Sequence, residues 1–429
     1  MRALVVGGGG REHALAWGLA RSASVDEVLV APGNPGVEAV ATCLPVDAND
    51  PGAVAALADE VDADLVVVGP EEPLVNGVVD AVVARGRLAF GPTAAGARIE
   101  GSKRWMKELL AGAGVPTASH GAFGSDDEEA ALSFLGTLEG LYVVKTDGLA
   151  AGKGVVVTES YDEAADAVRR YLTGEAFGDA GRTVVIEEGL RGPELSLLVV
   201  CNGDPGGAVP LAPAQDFKRI GDHDHGPNTG GMGAYSPVPI AGPEMVEQVM
   251  ATAVQPTLDA LLADGIAYRG VLYAGIMLTA DGPKVLEYNV RFGDPECQVV
   301  VPRMAADLGE LCRASAAGDP LPPVEFADDA CVTVVLASER YPEAPRTGDV
   351  IDGLDDVAAL PDVCVFHAGT ARRADGAIVT AGGRVLAVSG SGPTIADARQ
   401  RAYDAVGRIT WPGMQHRTDI AHGASGAHR

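Results

Sequence analysis

Leu286-Glu287-Tyr288-Asn289-Val290-Arg291-Phe292-Gly293-Asp294-Pro295-Glu296 is the most informative stretch of the chain. The turn Ala280-Asp281-Gly282-Pro283 precedes it, so Lys284–Asn289 pairs as a hairpin with the apolar run Val271–Leu278. Side chains two residues apart on a strand share a face. Glu287, Asn289 and Arg291 therefore project together, with Asp294 on the turn beyond. A hard divalent cation such as Mg²⁺ takes oxygen ligands and draws only one or two from protein, phosphates and water completing its shell. Glu287 and Asn289 meet that need. Arg291 carries the planar fork that grips a carboxylate or a phosphate. A salt-bridge ladder on a surface strand is the plainer reading of the same residues.

Upstream of this hairpin, Leu141–Lys145 and Val155–Thr158 read as strands flanking Lys145-Thr146-Asp147-Gly148-Leu149-Ala150-Ala151-Gly152-Lys153-Gly154. A P-loop needs Gly, four residues, then Gly-Lys and Ser or Thr. Here only three residues separate Gly148 from Gly152, and Gly154 follows Lys153, so the P-loop pattern fails. The stretch reads instead as a flap between strands, with Lys145 and Lys153 able to close over a triphosphate and exclude water. An ordinary hairpin with solvated lysines is the alternative. Glu187 and Glu188 end the strand Thr183–Glu187 and lead into Gly189-Leu190, with Glu194 shortly beyond. The backbone of such a connector can read the edge of a base, and a carboxylate after it can accept from ribose hydroxyls. Solvated glutamates on an edge strand are the competing reading.

Further out, the first hundred residues alternate short apolar strands (Ala3–Val6, Glu27–Ala31, Leu65–Val68, Leu88–Phe90) with helical stretches (Glu12–Ala20, Pro51–Val61, Val75–Ala84). That order predicts a parallel sheet covered by helices, with ligands at the carboxyl ends of its strands. Gly7-Gly8-Gly9-Gly10-Arg11-Glu12-His13 lies at that edge. Its glycines and the following helix start suit a small anion. A dinucleotide fingerprint would put Gly at position 12, where Glu stands. A tight structural turn is the alternative. Residues 215–233 form a long irregular segment containing Asp216, Lys218, Arg219, Gly230 and Gly231. Ordered loops of that length are usually functional. Asp222-His223-Asp224-His225 within it lacks the spacing of a zinc site. From about residue 325 the chain becomes β-rich, a last helix spans Ile395–Ile409, and the polar tail 416–429 reads as frayed.

Composition bounds the function. The chain has 429 residues, 47% of them hydrophobic, and a net charge of −27 from 32 basic and 59 acidic residues. That balance argues against nucleic acid and against anionic membranes as partners. No apolar run reaches the ~18 residues of a membrane span. The six cysteines are scattered, as expected of reduced thiols in a cytoplasmic protein. Four of only six lysines (Lys103, Lys145, Lys153 and Lys218) fall in the segments above, so the acidity is expected to belong to the outer surface and the lysines to mark a site for anions.

Gly-Gly-Arg-Glu-His-Ala at 9–14, Lys145–Gly154, Gly-Pro-Asn-Thr-Gly-Gly-Met-Gly at 226–233 and Arg-Phe-Gly-Asp-Pro-Glu-x-Gln at 291–298 together resemble the phosphoribosylamine–glycine ligase (glycinamide ribonucleotide synthetase) family, which has an ATP-grasp fold. The resemblance runs to about Trp411, with Thr146 where the family usually has Ala. It implies a Rossmann-like domain at 1–102, an ATP-grasp domain at 103–325 with a mobile lid at about 122–190, and a β-rich domain at 326–415. It implies ATP-dependent joining of glycine to 5-phosphoribosylamine through glycyl phosphate, with ATP and Mg²⁺ or Mn²⁺. Lys103, Lys145, Gly152, Lys153, Glu187, Glu188, Leu190 and Glu194 match the ATP site, and Glu287 and Asn289 the metal ligands. Arg291, Asp294 and Lys153 are the catalytic candidates. The candidates for phosphoribosylamine are Gly9, Gly10, Arg11, Glu12, His13, Asp216, Lys218, Arg219, Gly230 and Gly231, with Arg291 toward the acyl phosphate and glycine. A monomer is expected, with at most transient contact with the enzyme making phosphoribosylamine. Rival readings are another ATP-grasp ligase, a nicotinamide-dependent oxidoreductase and a non-catalytic nucleotide sensor.

Overall fold

The structure, a computed structural model, describes residues 1–149, 154–174 and 182–424. The chain opens with β1 (Arg2–Gly7), α1 (Gly10–Ala20), β2 (Glu27–Pro32), β3 (Thr42–Cys43), α2 (Pro51–Glu60), β4 (Leu65–Val68), α3 (Glu71–Val75), α4 (Val78–Val83) and β5 (Leu88–Phe90). Its strands pair in parallel in the order β3-β2-β1-β4-β5. Leu65–Val68 and the apolar residues of β1 are fully or nearly fully buried, as a sheet covered on both faces requires. Asp50 caps α2 by accepting from the N–H groups of Gly52 and Ala53, and Pro51 fills its first turn. The single helix expected over Val75–Ala84 is two helices. Gly77, with φ at +89°, takes a left-handed turn between them that a helix interior cannot hold.

Thr93 and Ser102 cap two further helices, α5 (Ala94–Gly101) and α6 (Lys103–Gly112). Then come β6 (His120–Gly124), α7 (Glu128–Leu135), β7 (Tyr142–Thr146), β8 (Val155–Thr158), α8 (Tyr161–Leu172) and β9 (Thr183–Glu188). These strands form an antiparallel sheet, β6-β9-β7-β8. Ala131, Leu135, Ala164 and Val168 of the two helices pack with Val144, Val184 and Ile186 in a core of their own. The next sheet, in the order β11-β10-β16-β17, uses β10 (Glu194–Asn202), β11 (Ala208–Pro210), β16 (Arg269–Thr279) and β17 (Gly282–Asn289). β16 and β17 are the expected hairpin, antiparallel, with Tyr273 opposite Asn289 and Gly275 opposite Glu287.

The irregular segment 215–233 is more structured than its sequence suggests. It contains β12 (Gln215–Asp216), a two-stranded ribbon of β13 (Arg219–Gly221) and β14 (His225–Asn228), and leads into β15 (Gly233–Ser236). β12 and β15 join a sheet completed by the C-terminal strands β18 (Ala330–Ala337), β19 (Val363–His367) and β22 (Arg384–Gly392), in the order β12-β15-β18-β22-β19. A small pair, β20 (Thr370–Arg372) and β21 (Ile378–Thr380), stands between β19 and β22. The C-terminal strands thus support the central loop directly.

One expectation fails here. Residues 416–424 are not frayed: Arg417, Ile420 and Ala421 are at most 1% exposed, and Tyr403 and Arg399 of the last helix, Ile395–Val406, bind the segment's backbone. A polar composition hid a segment whose charges are paired. No cluster of three or more His, Cys, Asp or Glu among the described residues could hold a metal ion, and Asp222 and Asp224 bind the C-terminal segment instead.

α1 packs against β19 through a buried histidine pair. His13 Nδ1 accepts the backbone N–H of His367 at 2.8 Å, and the ring meets Phe366 edge-on. Burial, with His367 as a lesser cause, holds His13 down to about 3, and burial holds His367 down to about 4. Both rings are neutral when folded, whereas the unfolded chain takes up their protons below about pH 6.5. Stability contributed by this pair is therefore present above pH 6.5 and falls as the pH drops toward 4. We expect roughly 1.4 kcal/mol per pH unit for each histidine in that window, and a shallower pH slope of unfolding free energy for His13→Gln. An unchanged slope between pH 6.5 and 5 would rule the pair out as its source.

Candidate active site

The β7–β8 hairpin faces the β16–β17 hairpin across a cavity of about 850 Å³. Its apolar lining includes Leu141, Val143, Val155, Leu190, Met277 and Leu286. Charged side chains make up much of the rest of the lining. Glu287 of β17 faces the cavity half-buried, and its carboxylate takes no hydrogen bond or ion pair from a described residue. Burial alone would raise its pKa, but Lys218, Lys145, Lys103 and Arg291 outweigh that and hold it below the usual range. Asn289 lies on the same face, its Oδ1 accepting from Arg291 Nη2 at 3.1 Å. A carboxamide oxygen has a second lone pair, so Asn289 retains acceptor capacity.

Arg291 is more committed than the sequence suggests. Its Nε lies 3.1 Å from Glu71 and its Nη2 3.1 Å from Glu100. A buried guanidinium needs such partners. Its own pKa is raised, because Glu100 and Glu71 overcome the effect of burial. Burial pushes the Glu100 carboxyl up to about 7 despite Arg291. Asp294 is held on both oxygens, by Gln298 Nε2 at 2.8 Å and Arg384 at 3.2 Å. Arg384, from β22, also donates to the carbonyls of Gly230 (2.6 Å) and Asp294 (2.6 Å). Tyr341 OH accepts the N–H of Gly230 at 3.1 Å. No motif pointed to Glu71, Glu100, Tyr341 or Arg384, because each acts across a long sequence distance.

Glu187 is a second surprise. Its side chain is 2% exposed and sits between two ammonium groups, Lys107 Nζ at 3.0 Å and Lys145 Nζ at 2.9 Å. Burial would raise the Glu187 carboxyl, but Lys145 and Lys107 hold it down. Burial lowers Lys107 to about 8 even with Glu187 beside it. Glu187 thus fixes Lys145. Glu188 bonds the N–H of Ser119 (3.0 Å), and the Glu188 and Gly189 N–H groups donate to Ser119 and Leu141. Leu190 and Glu194 line the cavity, and Lys103 donates to Gly148 O at 2.7 Å. Gly152 and Lys153 lie outside the described residues.

Asp216, Lys218, Arg219 and Gly230 reach the cavity, while Gly231 does not line it. Lys218 Nζ sits 2.7 Å from Asp216 Oδ2 and 3.6 Å from Glu194, and these carboxylates hold its ammonium strongly protonated despite burial. Asp216 Oδ1 is buried and has no hydrogen-bond partner among the described residues. Nearby, Glu296 accepts from Tyr273 OH at 2.6 Å, and burial and Asp216 raise its pKa.

Of the glycine-loop candidates only Arg11 lines the cavity. Glu12 is 1% exposed, bonds the Gly9 N–H at 2.6 Å and pairs with Arg11, and His13 is taken by β19. A Cβ on Gly8 would lie 2.7 Å from the Gly33 carbonyl, and one on Gly10 would lie 2.8 Å from Gln298 Nε2. The glycine at 8 is therefore required by close packing against backbone, whereas a side chain at 10 would have to displace the end of Gln298.

Ten carboxylates and seven cationic side chains line the cavity among the described residues. The acidity is therefore not confined to the outer surface. The lysine expectation fares better. Lys103, Lys145 and Lys218 line the cavity, and Lys107 and Lys284 pair with Glu187 and Glu188 of its wall.

A parallel-sheet domain followed by two antiparallel sheets that clasp such a cavity defines an ATP-grasp enzyme. Family sequence models described as phosphoribosylglycinamide synthetase match as N domain (residues 1–100), ATP-grasp domain (101–297) and C domain (331–423). A phosphoribosylamine–glycine ligase of Streptomyces coelicolor is 50% identical over 432 residues, covering all of both chains. The crystal structure of phosphoribosylamine–glycine ligase from Thermotoga maritima superposes with a TM-score of 0.84 at 34% identity, over 98% of this chain and 100% of that one. At 17% identity, the biotin carboxylase domain of Hydrogenobacter thermophilus 2-oxoglutarate carboxylase shares the fold, with a TM-score of 0.73 over 97% of this chain and 91% of that one. The chain belongs to the phosphoribosylglycinamide synthetase family: it is an ATP-dependent ligase that joins glycine to phosphoribosylamine in purine biosynthesis. No helix among the described residues is long and apolar enough to cross a membrane.

Proposed function

We propose that ligation runs through glycyl phosphate in the cavity between the β7–β8 and β16–β17 hairpins. A glycine carboxylate oxygen bonds to the γ-phosphorus of ATP as the bond to the β–γ bridging oxygen breaks and ADP leaves. The phosphoribosylamine nitrogen then attacks the acyl carbon, the C–O bond breaks, and phosphate departs while the nitrogen gives up a proton. The observation that carries this reading is Glu287, a carboxylate with no hydrogen bond or ion pair among the described residues, facing Lys103, Lys145 and Lys218.

The residues take distinct parts. The apolar lining receives adenine against the Leu190 backbone, and Glu194 takes the ribose. Lys103 and Lys145 bind phosphate oxygens, with Lys153 of the flap. Glu287 and Asn289 offer hard oxygen donors that fit Mg²⁺ or Mn²⁺. Such a cation supplies positive charge against the phosphates, which a wall with more carboxylates than cations does not provide by itself. The fold relative from Hydrogenobacter thermophilus was solved with MgADP, which supports this reading. Arg291 orients Asn289. Asp294 and Arg384 shape the glycine end, and Asp216 Oδ1 is an acceptor for an amine. Arg11, Lys218, Arg219 and Gly230 face phosphoribosylamine. Catalysis is positioning and charge neutralisation, with no covalent enzyme intermediate.

We place the ligase in the cytoplasm as a monomer, taking phosphoribosylamine by transient contact with the enzyme that makes it. Phosphate release should require ATP, glycine and freshly generated phosphoribosylamine together. Equal release with bicarbonate or D-alanine in place of glycine would overturn the glycine assignment.

A further inference from the structure

The turn between β13 and β14 holds two consecutive non-glycine residues in the left-handed region, His223 at φ +56°, ψ +32° and Asp224 at φ +56°. Such residues persist only where their surroundings over-determine them. The C-terminal segment 417–420 supplies those surroundings. Asp419 Oδ2 accepts the His223 N–H at 2.8 Å. Asp222 accepts the Thr418 N–H at 2.7 Å and the Thr418 hydroxyl. Arg417 Nη1 reaches Asp224 Oδ1 at 2.7 Å and the Arg219 carbonyl at 3.2 Å. Its guanidinium lies 4.9 Å over the Phe217 ring, and Asp419 holds its other nitrogens at 2.8 and 2.7 Å.

Arg417 is only 1% exposed, and the segment is fastened to the last helix. Tyr403 OH donates to Arg417 O at 2.9 Å and accepts from Ile420 N at 3.1 Å, while Arg399 donates to the Ile420 and Thr418 carbonyls. Residues 217, 219, 222, 223 and 224 are therefore all gripped from one rigid support. Lys218 and Arg219 alone among the loop's cations point into the cavity. None of residues 417–420 lines it.

We infer that the segment 417–420 is a positioning clamp for the phosphoribosylamine site, with Arg417 its central residue. The clamp sets the Phe217 ring and the Arg219 backbone and hence the reach of Lys218 and Arg219. The inference rests on the reading of Lys218 and Arg219 as phosphoribosylamine contacts. A chain end that looks dispensable by composition thereby tunes the affinity for one substrate of three.

The test is steady-state kinetics in each substrate separately, with thermal unfolding, for Arg417→Ala, Arg417→Lys, Thr418→Val and Arg219→Ala. A displacement of about 1 Å at a contact residue costs up to ~10²-fold. Arg417→Ala is expected to raise the phosphoribosylamine KM roughly tenfold or more, with the KM values for ATP and glycine unchanged and partial recovery in Arg417→Lys. Thr418→Val loses one surface hydroxyl and folds even if Arg417→Ala does not. It should show a smaller rise of the same constant and faster amide exchange in residues 219–228 than in β16 and β17. An unchanged phosphoribosylamine KM and unchanged exchange in Thr418→Val, or equal rises in all three KM values in Arg417→Ala, would overturn the clamp. Arg219→Ala separates the two claims. If it spares the phosphoribosylamine KM, the loop's substrate assignment fails. If it raises that KM and Arg417→Ala does not, the clamp alone fails.

Discussion

Glu287→Ala is expected to lower kcat by roughly 10²–10³-fold, the scale on which one well-placed charge acts in a preorganised site, while leaving the fold intact. The carboxylate makes no hydrogen bond to a described residue that would be missed, so little stability rests on it. Removing it leaves Lys103, Lys145 and Lys218 without the negative charge they surround. It also removes the better of two oxygen donors for a divalent cation. Glu287→Gln keeps an oxygen donor and loses the charge, so its rate should fall between the alanine variant and the parent. The expected signature is a reduced kcat, a higher Mg²⁺ requirement and an unchanged melting temperature. Near-full activity of Glu287→Ala at saturating Mg²⁺ would remove Glu287 from the site.

The second large effect concerns stability. Glu187→Ala strands two buried ammonium groups, Lys107 with 1% of its side chain exposed and Lys145 with 10%. Breaking a buried ion pair from one side costs about 3–5 kcal/mol, and denaturant unfolding should show a loss in that range. Burial already holds Lys107 down to about 8 with Glu187 in place. Without Glu187 its pKa falls further, and Lys107 sheds its proton near neutrality, which caps the penalty. Lys145 would also lose its anchor, so the KM for ATP should rise. A loss below about 1 kcal/mol, the range of an exposed pair, would show that the triad is dispensable.

Local chemistry was readable from the sequence wherever one element carries it. The strand face shared by Glu287 and Asn289 follows from period-two geometry, and the hairpin with Val271–Leu278 from its turn, whereas Arg291 lies just beyond the end of β17. The parallel N-terminal sheet followed from alternating apolar runs and helices. Pairings across the chain were not readable. Lys107 sits on a helix with nothing in its neighbours to mark it, and its importance comes from Glu187, eighty residues away. Glu71 and Glu100 matter because Arg291 folds onto them. His13 and Glu12 looked available to a ligand and are occupied by β19 and by the glycine loop. The C-terminal segment looked frayed because its polar residues are indistinguishable by composition from solvated ones until their partners at 219–224 are known. Burial and pairing, rather than residue type, decide which charges serve the site.

The fate of the glycine carboxylate oxygens tests the central claim most directly. If the carboxylate attacks ATP and phosphate later leaves from the acyl carbon, one glycine oxygen departs with the phosphate. With glycine labelled with ¹⁸O in both carboxylate positions, the account predicts that each phosphate released with ATP and phosphoribosylamine carries one labelled oxygen. Phosphate released without label, while glycinamide ribonucleotide still forms, would contradict glycyl phosphate as the intermediate.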